Sequence, residues 1–189
     1  TLADGALLIL LACFGLAERG HETTPQLVQF VCIAMLVYGL VRMIDKPIQG
    51  AAIWGLAIGF VTLASSPVLV GALLLGTLAM TLIVRETRSR WLLLAGLPIA
   101  LALSVAWPIA ALWAFPVDAV WYLNQWVHVS LSSFAGPPGS VAAYALKNLP
   151  LFTWPAWPLA IWAWFSWSGL RRAPHVAIPL SVIGPLLVL

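Results

Sequence analysis

Charge is what this sequence has least of. Only 8% of its 189 residues are Asp, Glu, Lys or Arg, while 62% are hydrophobic. A soluble domain carries roughly a quarter charged residues, so lipid is the expected solvent for most of this chain. Nucleic-acid binding is excluded on the same ground, because no face is basic enough to follow a phosphate backbone. Cysteine is nearly absent too. Cys13 and Cys32 both lie inside apolar runs, which reads as two small buried side chains and not as a disulfide or metal pair. The signatures of soluble hydrolases and nucleotide enzymes are missing: there is no His-Glu-x-x-His, no Gly-x-Ser-x-Gly and no phosphate loop. The first residue is Thr1, no basic signal-peptide start precedes the first apolar run, and residues 181–189 stop inside another. The expectation is a fragment of a longer membrane protein.

What the sequence does have is apolar runs near the roughly 17 to 25 residues that a spanning helix needs. They divide it into about seven expected spans: residues 2–17, 25–42, 48–64, 67–84, 91–114, 151–170 and 176–189, the first and last truncated. The fold class is therefore all-α, a single polytopic transmembrane helical bundle over residues 1–189. Thr24 is a suitable N-cap for the second span, with Pro25 in its first turn. Gly55-Leu56-Ala57-Ile58-Gly59 is a small-xxx-small pattern that would let another helix approach closely. Pro98 and Pro108 interrupt the fifth run, which membrane helices tolerate where neighbours re-satisfy the freed carbonyls.

Residues 115–150 break the pattern, being too polar to span. Asp118, Tyr122, Gln125, His128 and Ser132 recur at helical spacing on one side, with Val120, Leu123, Val127, Leu131 and Phe134 on the other. That spacing predicts an amphipathic helix lying along the membrane interface, with Trp121 and Trp126 in the aromatic belt at headgroup depth. Either tryptophan could also line a groove.

Basic residues set the orientation. Arg42, Lys46, Arg85, Arg88, Arg90, Arg171 and Arg172 fall in the turns on one side, against Arg19 and Lys147 on the other, so the positive-inside rule makes the first side cytoplasmic. The turn at 18–26, the Ser65-Ser66-Pro67 turn and the 115–150 segment then share the outer side.

The candidate site residues lie on that outer side. Glu18, Arg19, His21 and Glu22 crowd into one polar turn, followed by Gln26. His21 and Glu22 could orient an acceptor hydroxyl or hold a divalent metal, and a carboxylate at a membrane surface can be tuned toward acid–base work. The competing reading is a solvated turn, with Glu22 near the positive end of the following helix. Arg19 and Lys147 could pair with a lipid phosphate or simply snorkel to the interface. His128, on the polar side of the amphipathic helix, is a substrate-binding candidate set against an ordinary interfacial side chain.

The order of these features resembles the membrane domain of glycosyltransferase family 39, which includes protein O-mannosyltransferases and bacterial enzymes that transfer aminoarabinose to lipid A. Four stretches carry the likeness: Phe14 to Pro25 (FGLAERGHETTP), Gly55 to Leu63 (GLAIGFVTL), the 115–150 segment, and Leu151 to Leu159 (LFTWPAWPL). The resemblance implies a GT-C-like fold in a bacterial inner membrane. It also implies transfer of a sugar from a polyprenyl-phosphate donor to a lipid A-like or protein acceptor on the periplasmic side, among membrane lipids. The acidic base of that family would lie upstream of Thr1, leaving no catalytic residue in these 189 and this fragment inactive alone. Two positions depart from the family pattern: Gln26 stands where relatives often have Asp, and Ser65 or Ser66 where many have a phosphate-binding Lys. A transporter or channel fragment is the alternative; it would place ionisable groups at mid-membrane and show repeated halves, and neither is seen. A noncatalytic membrane scaffold is a further alternative.

Overall fold

In a computed structural model the protein is described at residues 25–84, 90–132, 147, 148, 150, 153–166, 169 and 173–188. Among these residues the structure is helical, with no strand. The α-helices are α1 (Pro25–Arg42), α2 (Pro47–Ala64), α3 (Pro67–Val84), α4 (Leu97–Ala114), α5 (Pro116–Ser132), α6 (Ala156–Ser166) and α7 (Pro174–Val188). Five of the seven begin at proline. At the first helical position the missing N–H costs nothing and the fixed φ already suits the helix, so each of these prolines marks where a helix starts. This is why the expected boundaries at 25–42 and 67–84 coincide with observed ones and the expected 48–64 misses by one residue; of the expected 91–114 only the end at Ala114, shortly before Pro116, coincides, since α4 itself begins at Leu97. Thr24 lies outside the described residues, as does the expected first span.

Among the described residues two helices are long and apolar enough to cross a membrane: Pro47–Ala64, and the continuous run Leu92–Ala114 of 23 residues. Gln26–Arg42, Pro67–Leu82 and Val176–Leu186 are apolar but shorter.

The core is built around α2, whose apolar residues are spread over its whole circumference, as in a helix enclosed by others. Its first neighbour is α1, joined through the turn at 43–46. There Gly39 and Gly50 face one another's helix: a Cβ on Gly39 would sit 2.8 Å from the Trp54 amide nitrogen, and one on Gly50 would collide with Met43 N and the Gly39 carbonyl. Leu36 and Leu40 are fully buried at this contact. On another side α2 meets the run that leads into α4. Gly55 abuts the backbone of Gly96, and a Cβ on Gly59 would lie 2.6 Å from Leu103 Cβ. The small-xxx-small pattern thus serves close packing, as its spacing predicts. On a third side Trp54 is buried and its indole N–H donates to Thr77 Oγ1 of α3 at 3.0 Å.

The two prolines of the long run have different outcomes. Leu92–Gly96 forms one π-helical turn, in which the Leu97 N–H bonds to the Leu92 carbonyl. Pro98 follows directly; having no N–H for the Leu94 carbonyl, it sits where the helix has already widened. Pro108 lies inside otherwise regular α4.

The last helix lies against α3 and, less extensively, α1. Ile178 and Val182 of α7 are fully buried, and Gly76 of α3 lets the Ser181 carbonyl approach to 2.5 Å from where a Cβ would stand. At the expected sixth span, α6 has 11 residues and no buried side chain. At about 1.5 Å per residue it covers roughly half of a bilayer's hydrocarbon core of about 30 Å. It follows a turn at 153–155, where the Thr153 carbonyl accepts from Ala156 N at 2.7 Å.

The amphipathic helix is present as α5, and the stripe by which it packs on the bundle lies between its polar and apolar sides. Ala119 is buried and Leu123 and Trp126 are half-buried, with Tyr122 of the expected polar side beside them. Val120 and Val127 of the expected apolar side are 58% and 41% exposed. Small Ala119 and the reach of the aromatic side chains decide the docked face, which periodicity alone does not encode. Residues 133–146 lie outside the described ones.

Candidate functional site

The bundle has two chemically different ends. One holds the turn between α1 and α2, with Arg42, Asp45 and Lys46. Gly96 packs on the Ala51 carbonyl near the start of α2, so Arg90, a turn or two earlier, lies at this same end. Its guanidinium stands 5.9 Å from the Trp91 ring centre, a cation–π contact.

The opposite end is organised by the Ser65-Ser66 turn between α2 and α3. A helix end leaves carbonyls without intrahelical donors, and Pro67 removes one further N–H. Two side chains from distant parts of the chain fill the gap. Gln29 Nε2 of α1 donates to the Ala64 carbonyl at 2.9 Å, and Trp126 Nε1 of α5 donates to the Ser65 carbonyl at 2.8 Å. Ser66 Oγ accepts, at 3.5 Å, from Leu69 N in the first turn of α3. Adjacent carbonyls of one turn thus tie the start of α1 and the middle of α5 to the same end. Trp126→Phe keeps the ring and removes the donor. It is expected to cost about 1 kcal/mol, the net value of one hydrogen bond, read as a lowered midpoint of unfolding in detergent.

Beside this tie lies a groove of about 200 Å³ between α2, α4 and α5, lined by Thr62, Leu63, Ser104, Trp107, Pro108, Tyr122, Leu123 and Trp126. Trp107 and Tyr122 meet edge to face, with ring centres 5.4 Å apart and planes at 68°. This geometry suits aromatic quadrupoles and holds both rings at the groove wall. Thr62 Oγ1 donates back to the Ile58 carbonyl at 2.8 Å, leaving its lone pairs toward the groove as acceptors. Pro108 has no N–H for the Ser104 carbonyl one turn earlier. No lining side chain is charged.

The sequence-derived candidates fall around this groove unequally. Gln26 is exposed in the first turn of α1, and His128 is exposed on α5 two residues past Trp126. The Gln29 and Trp126 bonds therefore bring both to the groove's end of the bundle. Lys147 is exposed. Arg19, His21 and Glu22 lie outside the described residues. Among the described residues no group of three or more His, Cys, Asp or Glu side chains could hold a metal. Of the two tryptophans considered as groove residues, Trp126 lines it, while Trp121 does not and is 65% exposed.

Gln29, Thr62, Ser104 and Trp107 were not apparent from sequence. A signal existed for two of them. Gln29 is an amide inside the apolar run of α1, and Ser104 precedes Pro108 by the four residues that set a hydroxyl beside an unbonded carbonyl. No protein family, curated protein or solved structure matches this chain.

Proposed function

We propose that this chain is the membrane-embedded part of a glycosyltransferase that moves a sugar from a polyprenyl-phosphate donor to a lipid or protein acceptor. In this reading the helices form a GT-C-like bundle of about seven spans. The arginine-rich turns face the cytoplasm and the Ser65-Ser66 end faces outward, at the periplasmic surface of a bacterial inner membrane. The observation that carries it is the pair of bonds from Gln29 and Trp126 to adjacent carbonyls. They gather the start of α1, which follows the His21-Glu22 turn, and helix α5 around one uncharged aromatic groove. A lipid-linked donor must be met at the membrane surface, and a groove opening beside apolar helix faces suits a greasy substrate with a polar head. Leu101, Val105 and Ile109 of α4 are exposed and apolar, a surface along which a polyprenyl chain can run. Glu22 and His21, which precede α1 in sequence, are the residues assigned here to the acceptor hydroxyl, and Arg19 and Lys147 are the cations nearest in sequence to this end for the donor phosphate.

The test is transfer of labelled sugar from polyprenyl-phosphate donors by the whole enzyme that contains this chain, in proteoliposomes. Transfer is expected, and it should fall by about tenfold or more, ~1.4 kcal/mol of barrier or greater, in Glu22→Gln. Absence of transfer from every polyprenyl-phosphate sugar tried, or full activity in both Glu22→Gln and His21→Ala, overturns the assignment.

A further inference from the structure

We infer that the groove between α2, α4 and α5 takes the uncharged, hydroxyl-bearing ring of a lipid-linked glycoside, and that a phosphate attached to that ring lies outside it. The inference rests on the donor class proposed above and narrows which part of such a donor the groove holds.

Size is the first argument. A volume of about 200 Å³ is below the roughly 300–1,000 Å³ of sites that enclose a drug-sized ligand. One ring fits; a whole lipid does not. Charge is the second. All eight lining residues are neutral, and a phosphate held there would leave water without a cation to replace it. A phosphate is therefore the part that this site rejects. The third argument is the pairing of aromatic surface with hydroxyl chemistry. Trp107 and Tyr122, fixed by their edge-to-face contact, offer ring surface to the apolar C–H face of a sugar. Around them stand the hydroxyl-bearing lining residues Ser104 and Thr62, the latter donating its own O–H to the Ile58 carbonyl. Their hydroxyl oxygens suit a ligand rich in O–H donors. A purely apolar guest would leave them unpaired. Position is the last argument: the exposed apolar face of α4, at Leu101, Val105 and Ile109, leads away from the groove and provides a path for an alkyl chain.

The experiment is equilibrium dialysis of radiolabelled octyl β-glucoside, below its micellar concentration, against the protein in phosphatidylcholine nanodiscs. One saturable site is expected. Octyl phosphate, octanol and free glucose should each displace the label at least about tenfold less well than unlabelled octyl glucoside, a gap of ~1.4 kcal/mol or more. Trp107→Leu should weaken binding by about tenfold, the same ~1.4 kcal/mol. Ser104→Ala is the gentler variant. It removes a hydroxyl from the groove wall and leaves the rings in place, so it should weaken glucoside binding severalfold with the unfolding midpoint little changed. Octyl phosphate or octanol competing as well as the glucoside overturns the inference. So does free glucose competing equally, or unchanged affinity in both variants. Glucoside binding without sugar transfer would leave this inference standing and remove the transferase; transfer without glucoside binding would do the reverse.

Discussion

Gly55→Ala is expected to lower the unfolding midpoint of the detergent-solubilised protein, while Gly71→Ala, the same chemical change in another helix, raises it. The two glycines differ in what surrounds them. A methyl group on Gly55 would run into the carbonyl of Gly96, and backbone on the far side of a helix contact cannot rotate away as a side chain can. The helices must separate, and with them every contact that α2 makes to the run leading into α4. Overpacking of this kind costs about 1–3 kcal/mol and sometimes more; a clash with backbone places Gly55 at or above the upper figure. Around Gly71 there is nothing within 4 Å, so Ala there only removes glycine's conformational freedom and contributes roughly 0.5–1 kcal/mol of stability. Measured by intrinsic tryptophan fluorescence during heating, the two midpoints should move in opposite directions. Equal shifts of either sign would mean that α2 does not approach Gly96 as described.

Trp54→Ala is the second large effect, and its components can be separated. The indole is 4% exposed at the centre of the core and bonded to Thr77 Oγ1, which in turn donates to the Leu73 carbonyl at 2.9 Å. Truncating a buried tryptophan to alanine costs about 3–5 kcal/mol in soluble cores. In the membrane setting proposed above the lower figure is expected, because there the apolar transfer term is small and the lost packing is what remains. Trp54→Phe keeps most of the ring and drops the donor, whereas Thr77→Val keeps the donor and leaves it facing a methyl group. The second should therefore be the worse, since it strands a buried N–H, at a cost of about 1–3 kcal/mol. The double variant, with both polar partners gone, should cost less than the two singles added. Coupling near the membrane-protein average of about 0.6 kcal/mol, and no more than about 1.7, is expected. Strict additivity would show that the indole and the hydroxyl do not interact.

How far the fold could be read in advance depended on how local each determinant was. Helix starts were legible at Pro25 and Pro67 because proline acts through its own ring and its own missing N–H and is best accommodated in a first turn, whereas Pro108 lies inside α4. The close approach at Gly55 and Gly59 was legible as a spacing, although not which helix would use it. The docked face of α5 was not: hydrophobic periodicity set Val120 and Val127 on one apolar side of an interfacial helix, and it carried no sign that Ala119, Leu123 and Trp126 would meet the bundle. In a chain where the surroundings of a helix can be as apolar as its core, hydrophobicity stops telling inside from outside. Shape and hydrogen bonding decide.

The candidate site divides the same way. Gln26 and His128 were visible as polar residues, and the long apolar runs pointed to an all-α fold, which the described residues show. The groove was not visible, because its walls are 61 residues apart at the Trp126–Ser65 bond and are made of side chains that look like ordinary packing until they are brought together. Only the tertiary structure could select Gln29 and Trp126 as the partners of two neighbouring carbonyls. That selection rests on which unpaired acceptors end up near which donors in three dimensions, and a linear pattern of hydrophobicity carries no record of it.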